Sequence, residues 1–390
     1  MQVLKEKNLQ SKLYKKHNSF YSFEKKNCTS NSLIVNKILE KKNNNNIYDL
    51  LSIKHKVILD KAIADLLSNN HEEDTFKLTE NVISEIENID ETDILKYIVH
   101  RYRYEIFPKK KILDEFPPCL QIEPSSVCNY RCVFCFETDK SFTNKKNGFM
   151  GQMNLDDFKA IIDQVEGKVE FVTLASRGEP LISKNINEML LYTKNKFLNL
   201  KINTNASLLD EKKCHSILEG GVKTIVFSAD AADPELYKKI RVNGDLKKVL
   251  KNIELFNNIR QKHYPKQKII SRVSGVKFSE EQDFESMIKL WKDLVDQVAF
   301  VEYNPWENTY LRPDSDVQTP CSDLWRRMFI WWDGKANPCD VDYKSQLSVG
   351  SFRKETVSNL WNSDEYKNLR ENHLKNNRKA HSPCKSCTVI

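Results

Sequence analysis

The chain has 390 residues, 40% of them hydrophobic, with a formal net charge of +7. That length suffices for a large catalytic domain with appendages, and the charge is too modest to argue for nucleic acid. No apolar run is long enough to span a bilayer, and residues 1–30, with seven lysines against two acids, lack a signal-peptide core, so the chain reads as cytoplasmic with no membrane partner.

Residues 1–115 are rich in Lys and Asn, and the low-complexity run Lys41–Asn46 reads as a loop. Apolar stripes at helical spacing follow: Tyr48, Leu50 and Leu51; Val57 and Ile58; Ile63, Leu66 and Leu67; Val82, Ile83 and Ile86; Ile94 and Ile98. No chemistry is visible in them. The region reads as a helical packing extension, with a substrate- or partner-recognition module as the alternative. Arg101-Tyr102-Arg103-Tyr104 interleaves base and aromatic, but four residues are too few for a nucleic-acid surface.

Pro117-Pro118 punctuates a new domain over 116–310, where strand and helix patterns alternate. Strands are expected at 119–123, 169–175, 200–204, 224–229, 269–276 and 297–303. Between them lie helices capped by Asn154, Ser183, Asp210 and Asp233-Pro234, a helix over 246–260 and another over 280–294. Six such units argue an α/β fold: a parallel sheet with crossover helices, curled into a partial (β/α)6 TIM-like barrel. In such barrels the loops after the strands carry chemistry. A last region, 311–390, opens with a hairpin-like pattern, Phe329-Ile330-Trp331, then Gly334 and Cys339.

Of ten cysteines, Cys28, Cys119 and Cys214 stand alone and read as buried; the other seven form two groups. In a reducing compartment they read as ligands rather than disulfides. Cys128, Cys132 and Cys135 follow the first strand at C-x3-C-x2-C spacing. Three thiolates this close can hold a four-iron cluster with one iron open; a zinc knob, with no further Cys or His before Cys214, fits less well. Cys321, Cys339, Cys384 and Cys387 are enough for a closed all-thiolate site, zinc or iron–sulfur.

On Cys128, Cys132 and Cys135 with Phe134 before the third, on Arg177-Gly178-Glu179-Pro180, on Asn203-Thr204-Asn205-Ala206 and on Ser228-x-Asp230 with Lys239-Ile240-Arg241, the chain resembles the radical S-adenosylmethionine (SAM) superfamily. The resemblance departs at Arg177, where the family's Gly-Gly-Glu motif has glycine. It implies a [4Fe-4S] cluster on the three cysteines whose open iron chelates SAM. It implies that Glu179, helped by main chain at Gly178, accepts from the SAM amino group, that Ser228 and Arg241 hold its carboxylate, that Thr204 and Asn205 serve the ribose, and that Phe134 lies near the adenine. Reductive cleavage would yield a 5′-deoxyadenosyl radical, so an electron donor such as flavodoxin or ferredoxin is an expected partner.

The C-terminal cysteines resemble the SPASM/twitch extension in its four-cysteine form, with one fully ligated auxiliary [4Fe-4S] cluster. The resemblance favours an oxidoreductase: hydrogen abstraction from a small sugar or aminocyclitol, proton loss, and transfer of an electron to the auxiliary cluster. The alternatives are a peptide maturase and a non-enzymatic iron–sulfur electron carrier. Asp340, Asp342, Glu302 and Tyr303 are candidate bases by position, each also readable as structural.

Overall fold

A computed structural model describes residues 14, 19–24, 30–68, 72–175 and 177–390. Cys28, Ser176 and most of the lysine-rich start therefore lie outside the described residues. The described strands are β1 (Ser19–Glu24), β2 (Cys119–Ile122), β3 (Arg131–Cys132), β4 (Phe171–Leu174), β5 (Asn199–Thr204), β6 (Val222–Ser228), β7 (Arg241–Val242), β8 (Ile270–Lys277), β9 (Gln297–Glu302), β10 (Arg327–Ile330), β11 (Lys335–Asn337) and β12 (Gly350–Ser351).

All but β3 and β7 form one sheet, ordered β1-β9-β8-β6-β5-β4-β2-β10-β11-β12. The six strands expected from the sequence are β2, β4, β5, β6, β8 and β9, paired in parallel in chain order. Two neighbours were not foreseen. β1 adds antiparallel to β9, and β10, the first arm of the expected hairpin, runs parallel to β2 with Arg327 opposite Cys119. The C-terminal hairpin is thus stitched onto the barrel's edge.

The crossover helices form where the sequence places an acceptor ahead of an apolar stripe. The Asn154 side chain accepts from the Asp157 amide at 2.8 Å, opening the helix Leu155–Val165 that buries Phe158, Ile161, Ile162 and Val165. Asp210, Asp233 and Asp283 cap the helices Glu211–Glu219, Pro234–Ile240 and Phe284–Trp291 in the same way. Ser183 does not cap: the helix Ile186–Tyr192 starts after Asn185, and the Ser183 hydroxyl is buried toward the Met189 sulfur.

Alternation along the strands separates two faces. Leu120, Ile122, Val172, Leu174, Leu200, Ile202, Ile225, Phe227, Val273, Val298 and Phe300 pack beneath the helices in the main core. Their neighbours in sequence, among them Thr173, Lys201, Asn203, Ser228, Arg272 and Ser274, face the concave side and keep partial exposure.

The first 110 residues supply the helices Asn31–Lys42, Ile53–Leu67, Glu80–Glu87 and Ile94–Lys110. The Lys41–Asn46 run is not a loop throughout: Lys41 and Lys42 end one helix, and Asn44 caps a short one at Asn45–Tyr48. The helices share a core that also takes in Cys119, Phe171 and Leu198, which stand at the N-terminal ends of β2, β4 and β5.

Polar contacts extend the same seam. Asn81 accepts from Arg272 at 2.7 Å, the Gln297 amide donates to Ser84 at 3.0 Å, and the Arg327 guanidinium donates to the Tyr104 hydroxyl at 2.8 Å. The N-terminal helices therefore plug the barrel at the end opposite the cysteine loop. Arg103 pairs with Asp114 at 2.7 Å within this packing, a structural role for the Arg-Tyr run. Cys119 and Cys214 are buried as expected. No helix among the described residues is long and apolar enough to cross a membrane.

Candidate active site

The cysteine loop is held at the C-terminal ends of the strands by three sets of bonds. β3 and β7 pair Cys132 with Arg241, and the Val133 amide donates to the Ile240 carbonyl at 3.0 Å. The Asn129 amide donates to the Ser207 hydroxyl at 2.9 Å, and the Asn205 amide donates to Asn129 at 3.0 Å. The Tyr130 amide points at the Cys128 sulfur, 3.4 Å away, and an Arg241 Nη lies 3.9 Å from the Cys132 sulfur. Burial pushes the Cys128 thiol up to about 12 and those of Cys132 and Cys135 upward, with Cys132 and Cys128 also raising Cys135. A cationic metal centre would reverse that penalty by taking all three as thiolates.

Glu179 is 2% exposed at the rim. Its carboxylate accepts from the Asn205 amide at 2.7 Å, the Thr204 hydroxyl at 2.7 Å and the Leu181 amide at 3.0 Å. Burial still raises its affinity for a proton, with those donors pulling the other way. Sequence reasoning placed Glu179, Thr204 and Asn205 against a ligand; here they also bind one another.

Gly178 likewise serves the chain itself: a Cβ there would stand 2.5 Å from Ser126 C and Val127 O, so the missing side chain admits the segment leading into Cys128. Arg241 is claimed internally too, its Nε donating to Asp230 at 2.5 Å, while the other Asp230 oxygen accepts from the Val276 amide at 2.7 Å. Ser228 ends β6 opposite Ser274. Phe134 rests 5.7 Å from the Phe278 ring, with the Arg241 guanidinium 5.9 Å from its centre.

Arg177, the departure from the motif, is 3% exposed and Glu123 is 0% exposed. The guanidinium grips both Glu123 oxygens, at 2.8 and 2.5 Å, and donates to the Tyr343 carbonyl at 2.9 Å. Glu123 also accepts from the amides of Arg177 and Trp332, each at 3.1 Å, and Trp331 lies beneath the guanidinium at 4.5 Å. The junction ties the ends of β2 and β4 to the segment carrying Cys339. Glu123, Asn129 and Ser207 were missed as site residues; a carboxylate closing a buried-type strand was the available signal for Glu123.

In the C-terminal group, the partly buried Cys384 has its thiol raised well above the usual range, first by desolvation and then by Cys387 and Cys321. The Val341 and Val389 amides point at the sulfurs of Cys339 and Cys387, at 3.3 and 3.5 Å. The donor sets are three and four cysteine thiols, and iron–sulfur clusters are held by cysteine thiolates. The candidate bases divide. Asp342 is pushed up to about 6 by burial, yet it accepts from Tyr310, Gln346 and Leu347 and serves to shape its loop. Tyr303 donates to Glu307, and Glu302 is exposed.

Residues 122–290 match the Radical SAM superfamily, and residues 321–388 match SPASM, an iron–sulfur cluster-binding domain. The chain belongs to the radical SAM superfamily. It carries a radical SAM domain followed by a C-terminal SPASM domain, and the two imply a [4Fe-4S] cluster, SAM and an auxiliary cluster.

The chain is 26% identical over 214 residues to GTP 3′,8-cyclase of Clostridium botulinum (strain Okra / Type B1), covering 53% of this chain and 64% of that protein. It thus spans less than two-thirds of that relative. Streptococcus suis SuiB bound to S-adenosylmethionine superposes with a TM-score of 0.55 at 17% identity, covering 90% of this chain and 91% of that one. Native anSMEcpe with bound AdoMet gives 0.50 at 17%, covering 69% and 88%. The likeness is one of fold.

Proposed function

We propose that this enzyme oxidises a small sugar- or aminocyclitol-type substrate, with the C-terminal site as electron acceptor. Bound at the two sites, the groups supply a hydrogen-abstracting 5′-deoxyadenosyl radical and a sink for one electron. The observation that carries the reading is the Glu123–Arg177 junction, which joins the strand ends beside Glu179 to the Cys339 segment as one buried unit. Four cysteines leave no open ligand position at the second site, which suits electron transfer rather than substrate chelation.

In this reading Cys128, Cys132 and Cys135 ligate the first cluster, and Cys321, Cys339, Cys384 and Cys387 the second. Glu179 accepts from the SAM amino group with the Gly178 main chain beside it, Ser228 and Arg241 receive the carboxylate, Thr204 and Asn205 the ribose, and Phe134 flanks the adenine. The Glu179 hydrogen bonds hold that carboxylate in place, and the Asp230 contact fixes the Arg241 guanidinium beside the loop. The substrate occupies the concave face, whose partly exposed hydroxyls and amides at Thr173, Asn203, Ser228 and Ser274 suit a polyol.

The N-terminal helices support a small molecule over a peptide, because they close the far end of the barrel rather than flank its mouth. Thiol-rich sites of this kind suit the cytoplasm; flavodoxin or ferredoxin fits as donor. Reconstituted protein should hold ~8 irons per chain, and Cys128→Ala ~4. Deuterium should pass from a labelled alcohol carbon into 5′-deoxyadenosine with the alcohol converted to a ketone. Turnover of a peptide instead, or label transfer without oxidation, would sink the proposal.

A further inference from the structure

The concave face carries a feature that a neutral polyol would not require. Lys201 stands mid-strand in β5, between Leu200 and Ile202, which face the helices. Its ammonium makes no hydrogen bond or ion pair among the described residues. Its row across the sheet is neutral: Gln121, Thr173 and Thr224 are its lateral partners by register. One row higher, Arg272 faces the same space, and the acceptors at its Nε and Nη2 are neutral amide oxygens, Gln297 at 2.8 Å and Asn81 at 2.7 Å. Asn203, two residues further along β5, has a buried amide oxygen without a partner.

The charges around Lys201 come from both flanks of the sheet. Burial is the main force lowering its proton affinity, to about 8, followed by Arg272 on β8 and Arg327 on β10; Glu85 and Cys119 oppose them more weakly. Lys201 on β5 stands two strands from β8 and three from β10, so the two arginines flank it on either side. Glu85 is itself bonded by the Tyr97 hydroxyl at 2.5 Å, and Asp323 lies 3.5 Å from Arg327. Lys201 is left as a half-buried cation without a counter-ion of its own among the described residues.

We propose that Lys201 binds an anionic group of the substrate, a phosphate or a carboxylate, at the plugged end of the barrel, with Arg272 adding to the field and Asn203 orienting the bound molecule. Asn205 at the rim lies four residue steps from Lys201, about 13 Å of strand at about 3.3 Å per residue. The anion is thereby held at one end of the concave face and the reacting carbon is presented at the other. The assignment rests on the proposed function only in taking the rim as the reacting end. It narrows the substrate to a sugar phosphate or sugar acid and sets aside a free aminocyclitol, whose ammonium groups Lys201 and Arg272 would repel.

The test is calorimetric binding to anaerobically reconstituted protein with SAM, without reductant, using glucose 6-phosphate, gluconate, inorganic phosphate, glucose and glucosamine. At least one anion should bind, with glucose and glucosamine at least tenfold weaker. Lys201→Gln should lose about tenfold to hundredfold affinity for that anion, the range of a charge-assisted hydrogen bond. Lys201→Arg should retain most of it, and both variants should keep the iron content and circular dichroism of the parent. Glucose 6-phosphate or inorganic phosphate as the Lys201-dependent probe identifies a phosphate site, and gluconate a carboxylate site.

Equal binding of glucose and the anions, anion binding unaffected by Lys201→Gln, or no binding of any probe overturns the inference. Lys201-dependent anion binding in a protein that oxidises no alcohol leaves this inference standing and removes the proposed reaction; oxidation without anion binding does the reverse.

Discussion

Replacing Arg177 with alanine should be among the costliest single changes in the chain. The substitution leaves the Glu123 carboxylate with 0% exposure, stripped of two guanidinium bonds, and leaves the Tyr343 carbonyl without its donor. The amides of Arg177 and Trp332 still point at the carboxylate but bring no charge. An uncompensated buried charge of this kind costs about 3–5 kcal/mol, whereas replacing both partners by apolar residues of similar volume is often neutral or stabilising. Glu123→Leu with Arg177→Met should therefore recover most of what Arg177→Ala loses.

Urea unfolding followed by tryptophan fluorescence suits the measurement, because Trp331 lies under the guanidinium and the Trp332 amide bonds to Glu123. A loss below about 1 kcal/mol in Arg177→Ala, in the range of exposed pairs, would mean that water reaches the junction. A double variant as unstable as the single would mean that lost packing, not the stranded carboxylate, sets the cost. Either result refutes the reasoning.

Asp230→Asn should strand Arg241 in the same manner, at about 3–5 kcal/mol, with Arg241→Gln in the same chain restoring stability in a urea titration. Gly178→Ala forces the 125–127 backbone to move, at about 1–3 kcal/mol, and should cut iron loading at the Cys128 loop while leaving that of the C-terminal site, as iron analysis would show. Lys201 titrates near 8 in the folded chain against an ordinary 10.5, so the unfolded chain binds more protons between those values. Stability should then rise with pH from about 8 to about 10.5. Lys201→Met should reduce that rise and raise the urea midpoint at pH 7, both read from unfolding curves across pH; an unchanged pH profile would place the lysine in open water.

The six parallel strands were legible because buried strands between capped helices leave a local signature: an acceptor such as Asn154 or Asp210, a stripe at helical spacing, then a short apolar run. The cysteine loop was legible for the same reason, since its ligands share eight residues. What escaped is what joins distant residues. Glu123 and Arg177 are 54 positions apart, and the Arg272–Asn81 bond that helps seal the barrel spans 191. Neither contact leaves a periodic trace. The pairing of β10 with β2 was hidden because a four-residue apolar run reads equally as hairpin arm or barrel stave. Glu179 and Arg241 were visible as polar residues at strand and helix ends, but not their internal partners, which depend on where Asn205 and Asp230 arrive in space.

The helical plug also bears on how the chain is made. Its residues leave the ribosome before any barrel strand from β2 onward, and at about 5–20 residues per second the helices have seconds in which to pack alone. Much of their core, including Ile34, Ile38, Leu59, Ile63, Val82, Ile86 and Ile98, is drawn from the helices themselves. The remaining faces wait for Cys119, Phe171 and Leu198. The base of the reaction chamber is thus in place before its walls, and each new strand meets a surface already shaped to receive its first residue.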